Sequence, residues 1–212
     1  MNWVVAMVRK RKVVGIVVGL CVLVCIGTGI GLRIYSINAN AMTIPVQTYG
    51  LHEAIELDGA FIEANKEQTQ GYSLVVNEVN LMSYNDYLKK YNQSKESSDD
   101  GNAKSIIEVG ITVRNDGNED GYLNVNGWRL VPERGNDYLV VNSELWQMGE
   151  PNAPGVIGAL SLVPDSEYEV HIPFVRNVGD EDLFKEDIKD TNFKLCISDA
   201  PVKKEIAFTL EK

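Results

Sequence analysis

Residues 13–32, VVGIVVGLCVLVCIGTGIGL, carry no charged side chain. As a helix rising ~1.5 Å per residue, such a run spans ~30 Å, the hydrocarbon thickness of a bilayer. It divides the chain into a basic stub (residues 1–12), a spanning segment (13–34), a linker (35–48) and a body (49–212). Arg9, Lys10, Arg11 and Lys12 precede the run and only Arg33 follows it closely. By the positive-inside rule the N-terminus is then cytoplasmic and the body lies outside the cell membrane. A second fate stays open, because Ala39-Asn40-Ala41 has the A-x-A form of a signal-peptide cleavage site. The run exceeds the ~7–15 residues of a usual signal core. Arg33-Ile34-Tyr35 also intervenes before the site, so an uncleaved single-pass anchor is the expectation. Gly15 and Gly19 form one G-x-x-x-G pair, and Gly27 and Gly31 another. At ~100° per residue the two pairs fan over ~160° and make no continuous seam, which favours a tether over an assembly helix.

Charge separates the two parts. The 212 residues hold 20 Lys and Arg and 30 Asp and Glu. Residues 1–41 contain five of the basic residues and none of the acidic ones, so the remainder is left with fifteen against thirty. A field of that sign repels phosphate backbones, and nucleic acid is excluded as a partner. Cys21 and Cys25 lie in the apolar run and Cys196 is alone in the body, so the body forms no internal disulfide. A disulfide-free extracellular domain of this size points to a Gram-positive bacterium.

The body is patterned as strands. Ala54 to Leu57 alternates briefly, and Gly71 to Met82 alternates with a change of parity that predicts a bulge near Asn77. Ser83-Tyr84-Asn85-Asp86 predicts a capped short helix through Tyr91, with Tyr84, Tyr87, Leu88 and Tyr91 as its packing face. In residues 104–114, Ile107, Val109, Ile111 and Val113 alternate with Glu108, Thr112 and Arg114, which predicts one buried face and one wet face. Further strands are expected over 122–131, 138–141, 166–175, 193–197 and 205–210, with Pro173 marking an edge or bulge. Residues 151–158 are expected to be loop, and 182–188 to hold a helical turn. About seven short strands at near-regular spacing, without βαβ alternation, predict an all-β chain. Its expected form is an antiparallel immunoglobulin-like β-sandwich with one short helix.

The order of features carries a resemblance. A strand over 106–113 runs into Arg114-Asn115-Asp116-Gly117-Asn118-Glu119-Asp120, followed by Trp128-Arg129-Leu130-Val131 and Tyr138. Later, Leu162-Val163-Pro164-Asp165-Ser166 opens a strand ending in Ile172-Pro173-Phe174. This resembles the telokin-like, immunoglobulin-like domains on lipoproteins and membrane-anchored proteins of Gram-positive bacteria, in which an L-x-P-G-x turn precedes the strand. Gly71-Tyr72-Ser73 and the stretch from Met82 to Tyr91 are similar to a family of Gram-positive (Firmicute) proteins with one N-terminal membrane segment and no established activity. The resemblance covers most of residues 50–212 and implies fold more than function. Asp165 stands where that pattern has glycine.

Three constellations could carry chemistry. Asp116, Asn118 and Asp120 match the first half of a calcium loop, but the twelfth position, which should be a bidentate Glu, is Gly127. A turn rich in Asn, Asp and Gly explains the same residues. Cys196 and His171 could form a nucleophile–base pair. Sortases, which are also anchored and all-β, carry Thr-Leu-x-Thr-Cys and a later Arg. Here the approach is Asn192-Phe193-Lys194-Leu195-Cys196 and no Arg follows, so a bystander thiol is the simpler reading. His52 and His171 make no zinc motif, and no P-loop, dinucleotide or G-x-S-x-G signature is present. Trp128, Trp146 and Tyr138 could line a carbohydrate- or peptide-binding surface, although aromatics in sandwich strands are more often core. The expectation is a non-catalytic, cofactor-free envelope protein that binds another envelope protein or a wall component. The alternatives are an enzyme using Cys196 and His171, or a calcium-dependent adhesion or sensor domain.

Overall fold

A computed structural model describes residues 2–39, 43–63, 67–94, 105–133, 137–156, 158–176 and 191–210. The expected helical turn at 182–188 lies outside these residues. The chain separates into two compact units between Thr43 and Ile44. The first is one helix, α1 (Asn2–Ala39). Its stretch Gly19–Asn38 is long and apolar enough to cross a membrane. Thr28 Oγ1 donates to the Val24 carbonyl at 2.8 Å, so this hydroxyl is satisfied inside the helix, as a bilayer requires.

The second unit is mostly β. Its strands are β1 (Val46–Tyr49), β2 (Ile55–Glu56), β3 (Tyr72–Ser83), β4 (Ser105–Asn115), β5 (Leu123–Asn124), β6 (Arg129–Pro132), β7 (Leu139–Val141), β8 (Gly155–Val156), β9 (Ala159–Leu160), β10 (Ser166–Arg176), β11 (Asn192–Ser198) and β12 (Lys203–Thr209). Two helices, α2 (Tyr84–Lys90) and α3 (Ser143–Gly149), and a 3-10 turn at Val125–Gly127 complete it. Nine strands form one sheet in the order β1-β12-β11-β6-β7-β10-β4-β3-β2, and a smaller sheet runs β5-β9-β8. The all-β expectation holds, with more and shorter strands than the sequence pattern resolves. The large sheet is mixed, because β1 runs parallel to β12, from residues assigned to the linker. The strand expected over 122–131 is broken, since Val125–Gly127 turns and hands the chain from the small sheet to the large one.

The large sheet curls so that its distant ends approach. Buried Lys204 of β12 donates its ammonium to the Glu56 carbonyl of β2, and a bridge joins Phe61 to Ala200. The concave face therefore encloses a single core in which Ile55, Ile111, Trp128, Ile172, Phe193 and Ile206 all belong to one cluster. Full burial of a branched aliphatic side chain is worth ~1.5–3 kcal/mol, and β4 alone contributes four such residues to this side. The parity change in β3 is a real bulge, with the register against β4 shifting between Val76 and Glu78.

The convex face is covered as well. Ser83 caps α2, its Oγ accepting from the Asp86 N–H at 3.1 Å. Tyr84, Tyr87 and Leu88 then pack on Ile106 of β4, Leu145 of α3 and Val175 of β10 as a second cluster. Pro173 sits where the β10–β7 pairing begins, since β7 reaches only Phe174 to Arg176 and leaves the other eight of the eleven β10 residues without a strand on that side among the described residues. Asp165 has φ +57°, the left-handed conformation that glycine adopts without strain, so the turn geometry implied by the resemblance is kept although the residue is not.

Candidate functional site

The site is built outward from α3. Asn142 accepts from the Leu145 N–H at 3.0 Å through its side chain, while its own N–H donates to the Pro173 carbonyl at 2.9 Å. One residue thus caps the helix and pins it to β10. Tyr87 Oη donates to the Leu145 carbonyl at 2.8 Å and ties α2 to α3. Gly149 allows the close approach, because a Cβ there would stand 2.7 Å from Tyr87 Oη and 3.0 Å from the Tyr91 ring.

Trp146 and Glu150 are four residues apart, hence neighbours along one side of this short helix and its cap. Both line a cavity of about 540 Å³ whose other walls are Gln147, Pro151, Ala153 and the β8–β9 residues Gly155, Val156 and Ala159. That volume falls in the ~300–1,000 Å³ range of small-ligand sites. Gly155 has φ +115° and would drive a Cβ to 2.3 Å from the Ala159 carbonyl oxygen, so this wall depends on glycine. Trp146 is only 3% exposed, and its indole N–H has no hydrogen-bond partner among the described residues. A buried unpaired donor of this kind costs ~1–3 kcal/mol.

Glu150 is held firmly. Its Oε1 accepts from the His171 backbone N–H at 3.1 Å and lies 3.0 Å from His171 Nδ1, and its Oε2 accepts from Tyr168 Oη at 3.3 Å. The imidazole faces a second carboxylate on its other side, with Nε2 3.5 Å from Glu78 Oε1. The Glu150 hydrogen bond raises the His171 pKa above its ordinary value, against a smaller opposing effect of burial. Beside this pair lies Glu108, fully buried on the convex face of β4. It accepts from Tyr91 Oη at 2.6 Å and pairs with Lys90, whose ammonium also lies 5.2 Å from the Tyr91 ring centre. Burial, reinforced by Glu108, pushes the Tyr91 and Tyr87 hydroxyls far above the usual tyrosine range, so both remain protonated donors. The wet face expected at Glu108 is thus a correction. The end of α2 covers it, and the charge survives there because Lys90 and Tyr91 satisfy it.

The residues singled out in the sequence scatter. Cys196 on β11 is buried, faces Glu205 and Arg129 across the sheet, and has its thiol pKa raised by burial. Glu205 is a structural ion. Burial alone would raise its pKa, but hydrogen bonds from Lys194 at 2.5 Å and Lys203 at 3.1 Å outweigh that and hold it low. His171 is on β10, and β6 and β7 intervene between β10 and β11. At ~4.8 Å per strand the two backbones lie about 14 Å apart along the sheet, so the fold does not bring this pair together. Asn118 spends its side chain on the turn itself. Its Oδ1 accepts from the Asp120 and Gly121 N–H groups at 3.1 and 2.6 Å, and its Nδ2 donates to the Gln68 and Gln70 carbonyls at 2.7 and 2.6 Å. Asp116 is paired with Arg114 at 2.7 Å. Of the three aromatics, Trp128 is core, Tyr138 is partly exposed, and Trp146 alone reaches the cavity. Lys90, Tyr91, Glu108 and Glu150 were not marked as site residues by the sequence. The available signal was a carboxylate in the middle of an aliphatic strand.

An all-β body carrying an apolar N-terminal helix is the class that the fold defines. The chain belongs to the family described as Domain of unknown function (DUF5028), which matches residues 46–204 and so takes in every strand that builds the cavity. No curated protein and no solved structure matches it.

Proposed function

We propose that this chain is a non-catalytic binding module of the bacterial cell envelope, held in the membrane by α1 with its β domain outside the cell, and that the cavity at Trp146 and Glu150 is where it engages its partner. The observation that carries this reading is the state of Glu150, a carboxylate on a cavity wall already fixed by three donors. A general base must be free to take a proton, whereas a carboxylate held in this way offers a fixed charge, which suits recognition. Four basic residues before the apolar run and one after it support the orientation. The partner is another envelope protein or a wall component, and a Gram-positive source and telokin-like ancestry fit the same picture.

The test places a photo-crosslinking residue at Gln147, exposed on the cavity rim, and as a control at Glu167, on β10. Illumination of intact cells is expected to give a discrete adduct from position 147 and none from 167. Adducts from both positions alike, or from neither, would overturn the reading. Loss of the β domain to protease added outside intact cells is expected; full protection would reverse the assigned orientation.

A further inference from the structure

The cavity favours charge of one sign in whatever enters it. Trp146 forms one of its walls. Glu150, next along the helix, sets a fixed carboxylate on the same wall, which demands positive charge of an occupant. The surrounding charge strengthens that demand, because Glu78, Glu108 and Glu150 are balanced by Lys90 and, when protonated, His171, so the cluster is net negative in either state of the imidazole. The excess of acid over base outside the apolar segment acts in the same direction at longer range. A second feature concerns shape. On the cavity wall, β8 is the outer strand of its small sheet, and its Val156 side chain is 74% exposed. Among the described residues no strand pairs with its outer edge, the kind of edge an extended chain can join.

Resting on the binding reading above, we infer that the occupant is a basic peptide segment. Its Lys or Arg side chain enters beside Glu150 at the Trp146 wall, and its backbone runs along the outer edge of β8. An acidic segment would meet the Glu150 carboxylate inside a net negative cluster, and a purely apolar one would gain nothing from that charge.

The chain holds three tryptophans, Trp3, Trp128 and Trp146, so its indole N–H resonances are few enough to assign by substitution. Full-length protein in detergent micelles is titrated with acetyl-Ala-Lys-Ala-amide, with the norleucine peptide and with the glutamate peptide. The Trp146 resonance is expected to move saturably with the lysine peptide, at an affinity about tenfold above that for norleucine, and to stay still with glutamate. Glu150→Gln is expected to erase the preference for lysine over norleucine. Because that change also frees His171, Gln147→Lys on the exposed rim serves as a second variant that leaves the packing alone, and it is expected to weaken lysine-peptide binding. A Trp146 resonance unmoved by the lysine peptide, or moved equally by lysine and glutamate, overturns the ligand class. If it does so while position 147 still crosslinks in cells, the binding reading stands and only the basic peptide falls. If both fail, both are wrong.

Discussion

The two faces of β4 separate the apolar core of this domain from the polar network beside its cavity. On the concave face, Ile107, Val109, Ile111 and Val113 are fully buried in the main apolar cluster, and burial is what they contribute. On the convex face of the same strand, Ile106 and Glu108 are equally buried, yet one joins a satellite apolar cluster and the other is a charge that needs Lys90 and Tyr91. The concave face tolerates few changes because it is packed. The convex face is specified by hydrogen bonds and ion pairs, and such networks respond to pH and to ligands in ways that an aliphatic core does not.

Ile111→Ala should show the largest effect, ~2–5 kcal/mol by denaturant titration, with little dependence on pH. Lys90→Met should cost about 3 kcal/mol at neutral pH, because Glu108 would remain buried with only Tyr91 to answer it. Lys90→Met combined with Glu108→Leu should recover most of that loss, because no uncompensated charge is then left buried. A double variant no more stable than Lys90→Met alone would erase the distinction between the faces. The third effect is smaller. Since Glu150 raises the folded-state pKa of His171, the resulting stabilisation is complete below the unfolded value near ~6.5 and is lost as pH rises through the folded pKa. Melting temperature of the wild type should therefore fall more between pH 6 and pH 8 than that of Glu150→Gln, and parallel curves would remove His171 from the network. The smallest change concerns neither face. Asp165→Gly should stabilise by ~0.5 kcal/mol, the relief of a left-handed turn less the extra chain entropy of glycine.

The same contrast explains what could be read from the residues. Alternation in residues 104–114 located the concave core, and the parity change located the bulge, because both follow from a side-chain period of two. Ser83 and the tyrosine spacing located α2, since a cap and an i, i+3, i+4 face are local signals. The convex face was hidden because nothing local says that a helix will cover Glu108. Its cover is Lys90 and Tyr91 at the end of α2, and a helix read from its own spacing does not say which strand it lies on. Asn142 before Ser143-Glu144-Leu145 was the one cue to α3. Trp146 and Tyr138 look alike in sequence, and only the hairpin of β8 and β9 makes a cavity at Trp146.

In the proposed reading the convex-face charge at Glu150 serves recognition, while the buried thiol of Cys196 belongs to the scaffold. Calorimetric titration of the lysine tripeptide into full-length wild type, Cys196→Ala and Glu150→Gln measures this directly. One affinity is expected for wild type and Cys196→Ala, and an affinity about tenfold weaker for Glu150→Gln. Unchanged binding in Glu150→Gln, or binding lost in Cys196→Ala with the fold intact, would contradict that reading.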